Sequence, residues 1–312
     1  MYYRNSARSE TQGGNLMSQI SEKIRRDFGS TDRKRDEGLK TPADIVRFDN
    51  IVYGDDPVWQ SLDVYRPRQA EEALLPVIVS VHGGGWVYGD KEAYQFYCMS
   101  LAEKGFAVVN FSYRLAPENK FPAPLEDTCA VFSWVIKHAD AYHFDTKNVF
   151  AVGDSAGAHT LELFAALCTN KDYRDLVCCN PPENFVPKAI ALNCGVHIVT
   201  VSDQPKDKFS TDLMADYLEN KGTEEELHKV NVIEWITEDF PPTFLMTAQD
   251  DFLKFQIPDL IKALLAKNIS HQLRFYTDTE VKLGHVFHLD IRLDEKIGCN
   301  DEECRFFRSL LN

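Results

Sequence analysis

The sequence has no apolar run long enough to cross a lipid bilayer, and it opens without the apolar stretch of a secretory signal. We therefore expect a cytoplasmic protein with no stable membrane association. Basic residues are also in short supply, because 34 Lys and Arg stand against 48 Asp and Glu, for a net charge of −14. Such a surface disfavours nucleic acid, and we expect none as a partner.

Metal-binding and redox motifs are missing as well. None of the eight cysteines forms a C-x-x-C pair, and we expect neither a metal nor an organic cofactor. The cysteines are instead expected to be reduced and to behave as small core residues. What is present is an ordinary globular composition, 44% hydrophobic and 26% charged, in 312 residues without internal repeats. That length favours one large α/β domain with additions over two equal domains.

Short apolar runs alternate with helical patterns from Ile45 onward. The runs Ile45 to Tyr53 and Trp59 to Tyr65 indicate an opening pair of strands joined by a turn. Pro76 to Val81 is nearly continuously apolar, which is typical of a strand buried on both faces of a parallel sheet. The alternation predicts an α/β fold with a mostly parallel, doubly wound sheet and helices on both of its faces.

Two segments fall outside this alternation. Residues 1–44 are charged but carry apolar residues at helical spacing as far as Phe28, where Gly29 is expected to interrupt the helix. A second, polar insertion at about 200–235 contains Leu213 in a helix-like pattern. The N-terminal segment is either a solvated leader or part of a small helical cap, and the insertion could complete that cap. The predicted division is therefore 1–44 as cap or leader and 45–312 as the main domain, with a cap insertion at about 200–235.

The apolar run Val149 to Val152 leads into Gly153-Asp154-Ser155-Ala156-Gly157. A strand, G-x-S-x-G and a helix in succession are typical of a nucleophile elbow, whose tight turn admits only small residues two positions either side of the serine. The helix N-terminus that follows favours developing negative charge. The pattern predicts that Ser155 is a nucleophile.

A glycine cluster, His82-Gly83-Gly84-Gly85, directly follows the run that ends at Val81. It lacks the lysine of a phosphate-binding loop, so the alternatives are an ordinary glycine-rich turn or an oxyanion hole. We predict that the N–H groups of Gly83 and Gly84, with that of Ala156, bind an oxyanion. His82 is expected to brace the loop through a hydrogen bond.

A serine nucleophile needs a base, and the base needs a carboxylate that orients it. With the chain order Ser, acid, His, the base is sought in the loop after the last strand and the acid at the end of the strand before it. Physical reasoning alone leaves two pairs open, Asp250 or Asp251 and His285 or His288. His159 is excluded because it lies one helical turn after Ser155 and faces away.

These motifs together resemble the hormone-sensitive-lipase-like branch of the α/β-hydrolase family, which includes many bacterial carboxylesterases and acetyl esterases. The resemblance extends from about Leu62 to the end of the chain. It rests on His82 to Gly85, on Tyr113-Arg114-Leu115-Ala116-Pro117-Glu118 with Phe121-Pro122-Ala123, and on Gly153 to Gly157.

The resemblance implies an α/β-hydrolase fold and selects within both open pairs. The family acid lies in an Asp-Pro-Leu stretch, which Asp251-Phe252-Leu253 matches except for the proline, and the family base lies in a setting like Gly284-His285-Val286-Phe287. Asp251 and His285 are therefore the implied acid and base, and His288 is assigned to a pocket or surface position. Arg114 and Glu118 are expected to brace loops near the site.

The implied function is a serine carboxylesterase acting on small esters with short acyl chains, acetyl esters of sugars among them. An amidase, formamidase or peptidase would use the same triad. A lipase and a non-catalytic small-molecule receptor are further alternatives. The expected partner is a small-molecule ester, and a homo-oligomer stays open.

Overall fold

The computed structural model describes residues 17–201 and 208–311. One sheet of eight strands runs through it, in the order β1-β2-β4-β3-β5-β6-β7-β8. The pairs β1–β2 and β2–β4 are antiparallel, and every other neighbouring pair is parallel. The strands are β1 (Ile45–Val52), β2 (Ser61–Pro67), β3 (Leu75–Val81), β4 (Ala107–Phe111), β5 (Phe144–Asp154), β6 (Ala189–Asn193), β7 (Thr243–Ala248) and β8 (His271–Tyr276).

Helices cover both faces of the sheet, as the alternation predicts. Along β3 the side chains of Val77, Val79 and Val81 point into one apolar core and Ile78 into the other. The helices are α1 (Gln19–Asp36), α2 (Lys91–Glu103), α3 (Ala123–Lys137), α4 (Ala156–Thr169), α5 (Lys171–Val177), α6 (Lys208–Tyr217), α7 (Glu224–Val230), α8 (Ile257–Ala266), α9 (Ile291–Ile297) and α10 (Cys299–Ser309). The predicted α/β architecture is confirmed.

Some boundaries differ from the sequence expectation. Strand β5 begins at Phe144, five residues before the predicted Val149, because a polar stretch continues the pairing with Leu75 and Pro76. The short helices α5, α7 and α9 were not anticipated.

All eight cysteines are free and most are buried, but Cys178 is exposed. No helix in the described ranges is long and apolar enough to span a membrane.

Helix α1 runs unbroken through Gly29, so the predicted interruption there is wrong. Tertiary contacts hold the helix in place. The guanidinium of Arg25 donates to the carbonyl oxygens of Val87 and Ala116 at 2.7 and 2.9 Å and forms an ion pair with Glu118 at 2.7 Å. Residues 1–16 of the predicted N-terminal segment lie outside the described residues.

Helix α6 confirms the helix expected around Leu213, although residues 202–207 of the insertion lie outside the described residues. It packs against α1. The backbone N–H of Ser18 donates to Asp216 at 3.0 Å, and Ile24 of α1 shares an apolar cluster with Leu213 and Met214 of α6. The two segments that the sequence set apart therefore lie side by side.

Candidate active site

Ser155 lies at the turn between β5, which ends at Asp154, and α4, which begins at Ala156. Its φ of 50° is in the left-handed region, so the turn is strained for a non-glycine residue. A Cβ on Gly153 would lie 2.7 Å from the carbonyl oxygen of Gly157, and a Cβ on Gly157 would overlap backbone. Both flanking glycines are thus required by close packing, as the motif predicts.

The side chains of Ser155, His285 and Asp251 are in contact with one another. The His285 Nε2 atom lies 3.0 Å from Ser155 Oγ, and its Nδ1 atom lies 2.7 Å from Asp251 Oδ1. Asp251 lies three residues after the end of β7 and His285 lies in the loop after β8, which places both at the carboxyl edge of the sheet beside the serine. This geometry suits proton transfer from a serine hydroxyl to an imidazole that a carboxylate orients.

The alternatives that the sequence left open lie elsewhere. Asp250 is exposed, and its backbone N–H bonds to the carbonyl oxygen of Leu283. His288 is fully buried, so its assignment to a pocket or surface position is wrong. Neither ring nitrogen of His288 has a hydrogen-bond partner among the described residues, and burial lowers the pKa of the ring to about 3.

The carboxylate of Asp251 is fixed by more than the histidine. The Thr247 hydroxyl donates to Oδ2 at 2.7 Å, and the Leu253 N–H donates to Oδ1 at 3.0 Å. Burial alone would raise the pKa of Asp251, but hydrogen bonds from His285, Leu253 and Thr247 and the charge of His285 hold it below the ordinary value. The acid is therefore ionised at neutral pH and locked in one orientation.

A possible metal-donor set overlaps this arrangement. Cys194, Asp251 and His285 offer donor atoms that all lie within 4.8 Å of one another. Two of the three are already engaged, since Asp251 and His285 are hydrogen bonded to each other. The set therefore coincides with the hydrogen-bonded relay from Ser155.

The glycine loop differs from the sequence expectation at one position. The N–H of Gly83 donates to the Tyr94 hydroxyl at 2.8 Å, so the prediction that it is open to an oxyanion is wrong. In the described part of the chain, the N–H groups of Gly84, Gly85 and Ala156 donate to no protein acceptor. Gly84 and Gly85 have φ of 114° and 61°, which turns this stretch of backbone in a way that favours glycine.

Family comparison bears on what this geometry means. The BD-FAE family model matches residues 62–258, which is more than half of the chain. The chain belongs to the BD-FAE family. Its relatives place it in the hormone-sensitive-lipase-like branch of the α/β-hydrolases, which confirms the resemblance carried by the motifs.

Two curated relatives and one solved structure illustrate the similarity. The chain is 33% identical over 121 residues to esterase LipC of Mycobacterium tuberculosis, covering 38% of this chain and 30% of the relative. It is 34% identical over 104 residues to the ethyl acetate hydrolase of Pseudomonas putida, covering 33% of each. These matches span about a third of the relatives' length. Esterase B from Lactobacillus rhamnosis, inhibited by a tributyrin phosphonate, aligns with a TM-score of 0.83, 27% identity and coverage of 93% of this chain and 95% of its own.

Several side chains in this BD-FAE family member brace the loops. His82 is buried, stacks on Tyr113 at 4.0 Å and contacts the Gly83 carbonyl oxygen through Nδ1 at 2.8 Å, and burial lowers its pKa to about 4. Arg114 forms an ion pair with Asp127 at 2.7 Å, and Glu118 forms one with Arg25 of α1. The bracing roles expected for His82, Arg114 and Glu118 are confirmed.

Sequence reasoning missed two buried groups beside the nucleophile, Tyr94 and Asp154. The Tyr94 hydroxyl donates to Asp154 Oδ2 at 2.8 Å while it accepts the Gly83 N–H. Burial raises the pKa of Asp154 to about 7, against the opposing effect of the Tyr94 hydrogen bond. Asp154 stood within the serine motif and could have been singled out as a buried acid. Nothing in the sequence marks Tyr94.

Two cavities meet at Ser155 and share Phe28, Phe252 and His285 as further walls. The first, the Tyr94 lobe, has a volume of about 270 Å³ and the second, the Leu213 lobe, about 190 Å³. Besides the shared residues, the Tyr94 lobe is lined by Thr31, Asp32, Gly83, Gly84, Tyr88, Tyr94, Asp154, Val286 and Leu289. The Leu213 lobe is lined by Ile24, Gly85, Trp86, Val196, Ile198, Val199, Thr200, Phe209, Ser210, Leu213, Met214, Leu253 and Gln256.

Proposed function

We propose that the chain is a serine carboxylesterase that hydrolyses small esters of short-chain acids through an acyl-enzyme intermediate. The observation that carries the proposal is the continuous relay from Ser155 Oγ to His285 at 3.0 Å and from His285 to Asp251 at 2.7 Å. The esterase names of the relatives support the same class of substrate.

In the proposed first half-reaction, His285 removes the proton from Ser155 as the hydroxyl oxygen attacks the ester carbonyl carbon. The imidazolium that forms is oriented and stabilised by Asp251. The carbonyl oxygen becomes an oxyanion bound by the N–H groups of Gly84, Gly85 and Ala156. Collapse of this intermediate breaks the bond to the alcohol oxygen, which takes the proton from His285.

Water enters for the second half-reaction. His285 again acts as base and removes a proton from the water, whose oxygen attacks the acyl carbon. The bond to Ser155 Oγ then breaks, the serine recovers its proton, and the acid leaves. None of these steps needs a group beyond the residues of the chain itself.

The linings of the two lobes suggest how a substrate lies. The Leu213 lobe is walled mostly by apolar side chains, and we assign the acyl chain to it. The Tyr94 lobe is also lined by Thr31 and by Asp32, whose carboxylate accepts from the Tyr88 hydroxyl at 2.7 Å, and we assign the alcohol portion to it. These polar groups can receive hydroxyls of the alcohol, so an acetylated sugar is a candidate substrate within the proposed class.

The test is to replace Ser155 with Ala and to treat both proteins with a fluorophosphonate probe. We expect the wild type to be labelled and the variant to be unlabelled and several orders of magnitude slower on p-nitrophenyl acetate and butyrate. Ser133→Ala is the matched control, because that hydroxyl bonds to the Cys129 carbonyl oxygen within α3. Labelling that persists in the Ser155 variant would refute the assignment.

A second measurement separates ester from amide chemistry. Matched p-nitrophenyl esters and p-nitroanilides of the same acids differ only in the leaving atom. We expect kcat/KM to be much higher for the esters. Equal or higher values for the anilides would favour an amidase.

A further inference from the structure

Phe252 has an unusual position for a large apolar side chain. It follows the proposed acid Asp251 directly in the chain, and 65% of its surface is exposed. Its ring centroid nonetheless lies 4.3 Å from that of His285, at an interplanar angle of 43°. An exposed aromatic ring at such a place calls for an explanation, because removing it from water would be favourable.

The backbone that carries this ring is held by the proposed acid. Leu253 donates its N–H to Asp251 Oδ1 at 3.0 Å, which closes a turn around Phe252. The chain then enters a 3-10 turn at Lys254–Gln256. The orientation of the Asp251 carboxylate and the position of the Phe252 ring are therefore fixed by the same turn.

The two lobes of the cavity have four residues in common, namely Ser155, His285, Phe252 and Phe28. The first two are the proposed nucleophile and base, so an ester bond under attack must lie at this junction. The other two are both partly exposed phenylalanines, from the loop after β7 and from α1. Both rings therefore border the space beside Ser155 and His285, where the atoms next to the ester carbonyl would lie.

We propose that Phe252 and Phe28 form a narrow junction that selects esters that are unbranched next to the carbonyl. The inference rests on the proposed esterase function and adds a substrate class to it. A linear acyl chain presents one methylene at the junction and can extend into the Leu213 lobe. An α-branched chain presents a second carbon at the same point, where it would have to fit beside both rings.

The test compares two esters with the same number of carbon atoms, p-nitrophenyl butyrate and p-nitrophenyl isobutyrate. The measured quantity is the ratio of kcat/KM for the linear over the branched ester. We expect Phe252→Ala and Phe28→Ala each to lower this ratio by about tenfold relative to wild type, which is the discrimination a pocket makes for one carbon. Phe252→Leu should keep most of the preference for the linear ester, since leucine keeps much of the volume of the phenylalanine side chain.

Phe255→Ala is the matched control. Phe255 is three residues further along the same segment and is 78% exposed, but it lines neither lobe. Its ratio should equal that of the wild type. A change of side chain that only disturbed His285 would lower kcat for both esters equally and leave the ratio unchanged.

The outcomes separate the two proposals. An unchanged ratio in either alanine variant, or an equal change in Phe255→Ala, overturns the junction while the esterase assignment stands. A wild type that hydrolyses neither ester and is not labelled at Ser155 overturns the esterase assignment itself.

Discussion

The backbone N–H of Gly83 and the side chain of Tyr94 are joined by a hydrogen bond of 2.8 Å. The Tyr94 hydroxyl in turn donates a hydrogen bond to Asp154 Oδ2, also at 2.8 Å. Helix α2 thereby ties the glycine loop to the residue that precedes Ser155. The loop that we propose to bind the oxyanion and the turn that carries the nucleophile are thus positioned by one phenol.

Replacing Tyr94 with Phe should lower kcat more than it changes KM. The variant removes the hydroxyl that accepts from the Gly83 N–H and donates to the buried Asp154 carboxyl, and the loss of such buried hydrogen bonds costs about 1–3 kcal/mol. Tyr97→Phe is a suitable control, since it removes a buried hydroxyl of the same helix that bonds to Glu303. Both variants should have a lower melting temperature, but only Tyr94→Phe should lose turnover. Equal kcat in the two variants would contradict the positioning role.

Asp251→Asn should reduce kcat by about 10⁴-fold, because the amide cannot orient and stabilise the imidazolium as the carboxylate does. Asp250→Asn, one residue earlier and exposed, should be nearly neutral. Steady-state kinetics on p-nitrophenyl butyrate distinguish the two. A reversed ranking would show that Asp251 is not the acid.

His288→Leu should change the pH dependence of stability rather than the chemistry. The folded protein keeps this ring neutral down to about pH 3, whereas in the unfolded chain it titrates near about 6.5. Below pH 6.5 only the unfolded chain gains the proton, so the wild type loses up to about 1.4 kcal/mol per pH unit from this group as the pH falls. The His288→Leu variant has no ring to protonate, so its free energy of unfolding does not fall with pH for this reason.

Urea unfolding at pH 7 and pH 5 measures the effect. Between these values the stability of His288→Leu should improve relative to wild type by about 2 kcal/mol. Its kcat/KM at pH 7 should stay within a few-fold of wild type, whereas His285→Ala should be inactive. A stability difference that does not vary with pH would mean that His288 takes up its proton as readily in the folded protein as in the unfolded chain.

Arg25→Ala should raise KM several-fold and leave fluorophosphonate labelling of Ser155 intact. The substitution removes the ion pair to Glu118 and the two bonds to loop carbonyls, so α1 loses one of its attachments while the contacts among Ser155, His285 and Asp251 are kept. Lys23→Ala is the control, because Lys23 is exposed and pairs with Asp27 of the same helix. An unchanged KM in Arg25→Ala would favour the interpretation of residues 1–44 as a solvated leader.

Local rules account for what the sequence predicted well. The spacing around Ser155 follows from the sterics of one tight turn, and β3 follows from a continuous apolar run. Asp251 and His285 depended on a family resemblance, because adjacent acids and nearby histidines look alike until the loops are placed. In the structure Asp251 and His285 are distinguished from Asp250 and His288 because they contact each other and His285 contacts Ser155.

The wrong predictions share a different cause. The engagement of Gly83 depends on how α2 sits against the glycine loop, and no local pattern encodes that. His288 is flanked by Phe287 and Leu289 in the sequence, and in the structure the packing of Tyr97 against its ring leaves it no contact with water. Beyond Gly29, Asp32 of helix α1 accepts from the Tyr88 hydroxyl at 2.7 Å and Arg35 donates to the Ala93 carbonyl oxygen at 2.5 Å, so contacts with residues 88–93 hold the second half of the helix. In each case a contact distant in sequence decided the outcome.

The bond from the Ser18 N–H to Asp216 has a consequence for how the molecule opens. Helices α1 and α6 bury their apolar faces against each other, so release of one uncovers the other. We expect their amide protons to exchange with solvent together and sooner than those of the central strands, as one cooperative unit of low stability. Helices α1 and α6 would then open together over the cavity and let small molecules enter and leave. Ser155, His285 and Asp251 would stay assembled on the sheet below.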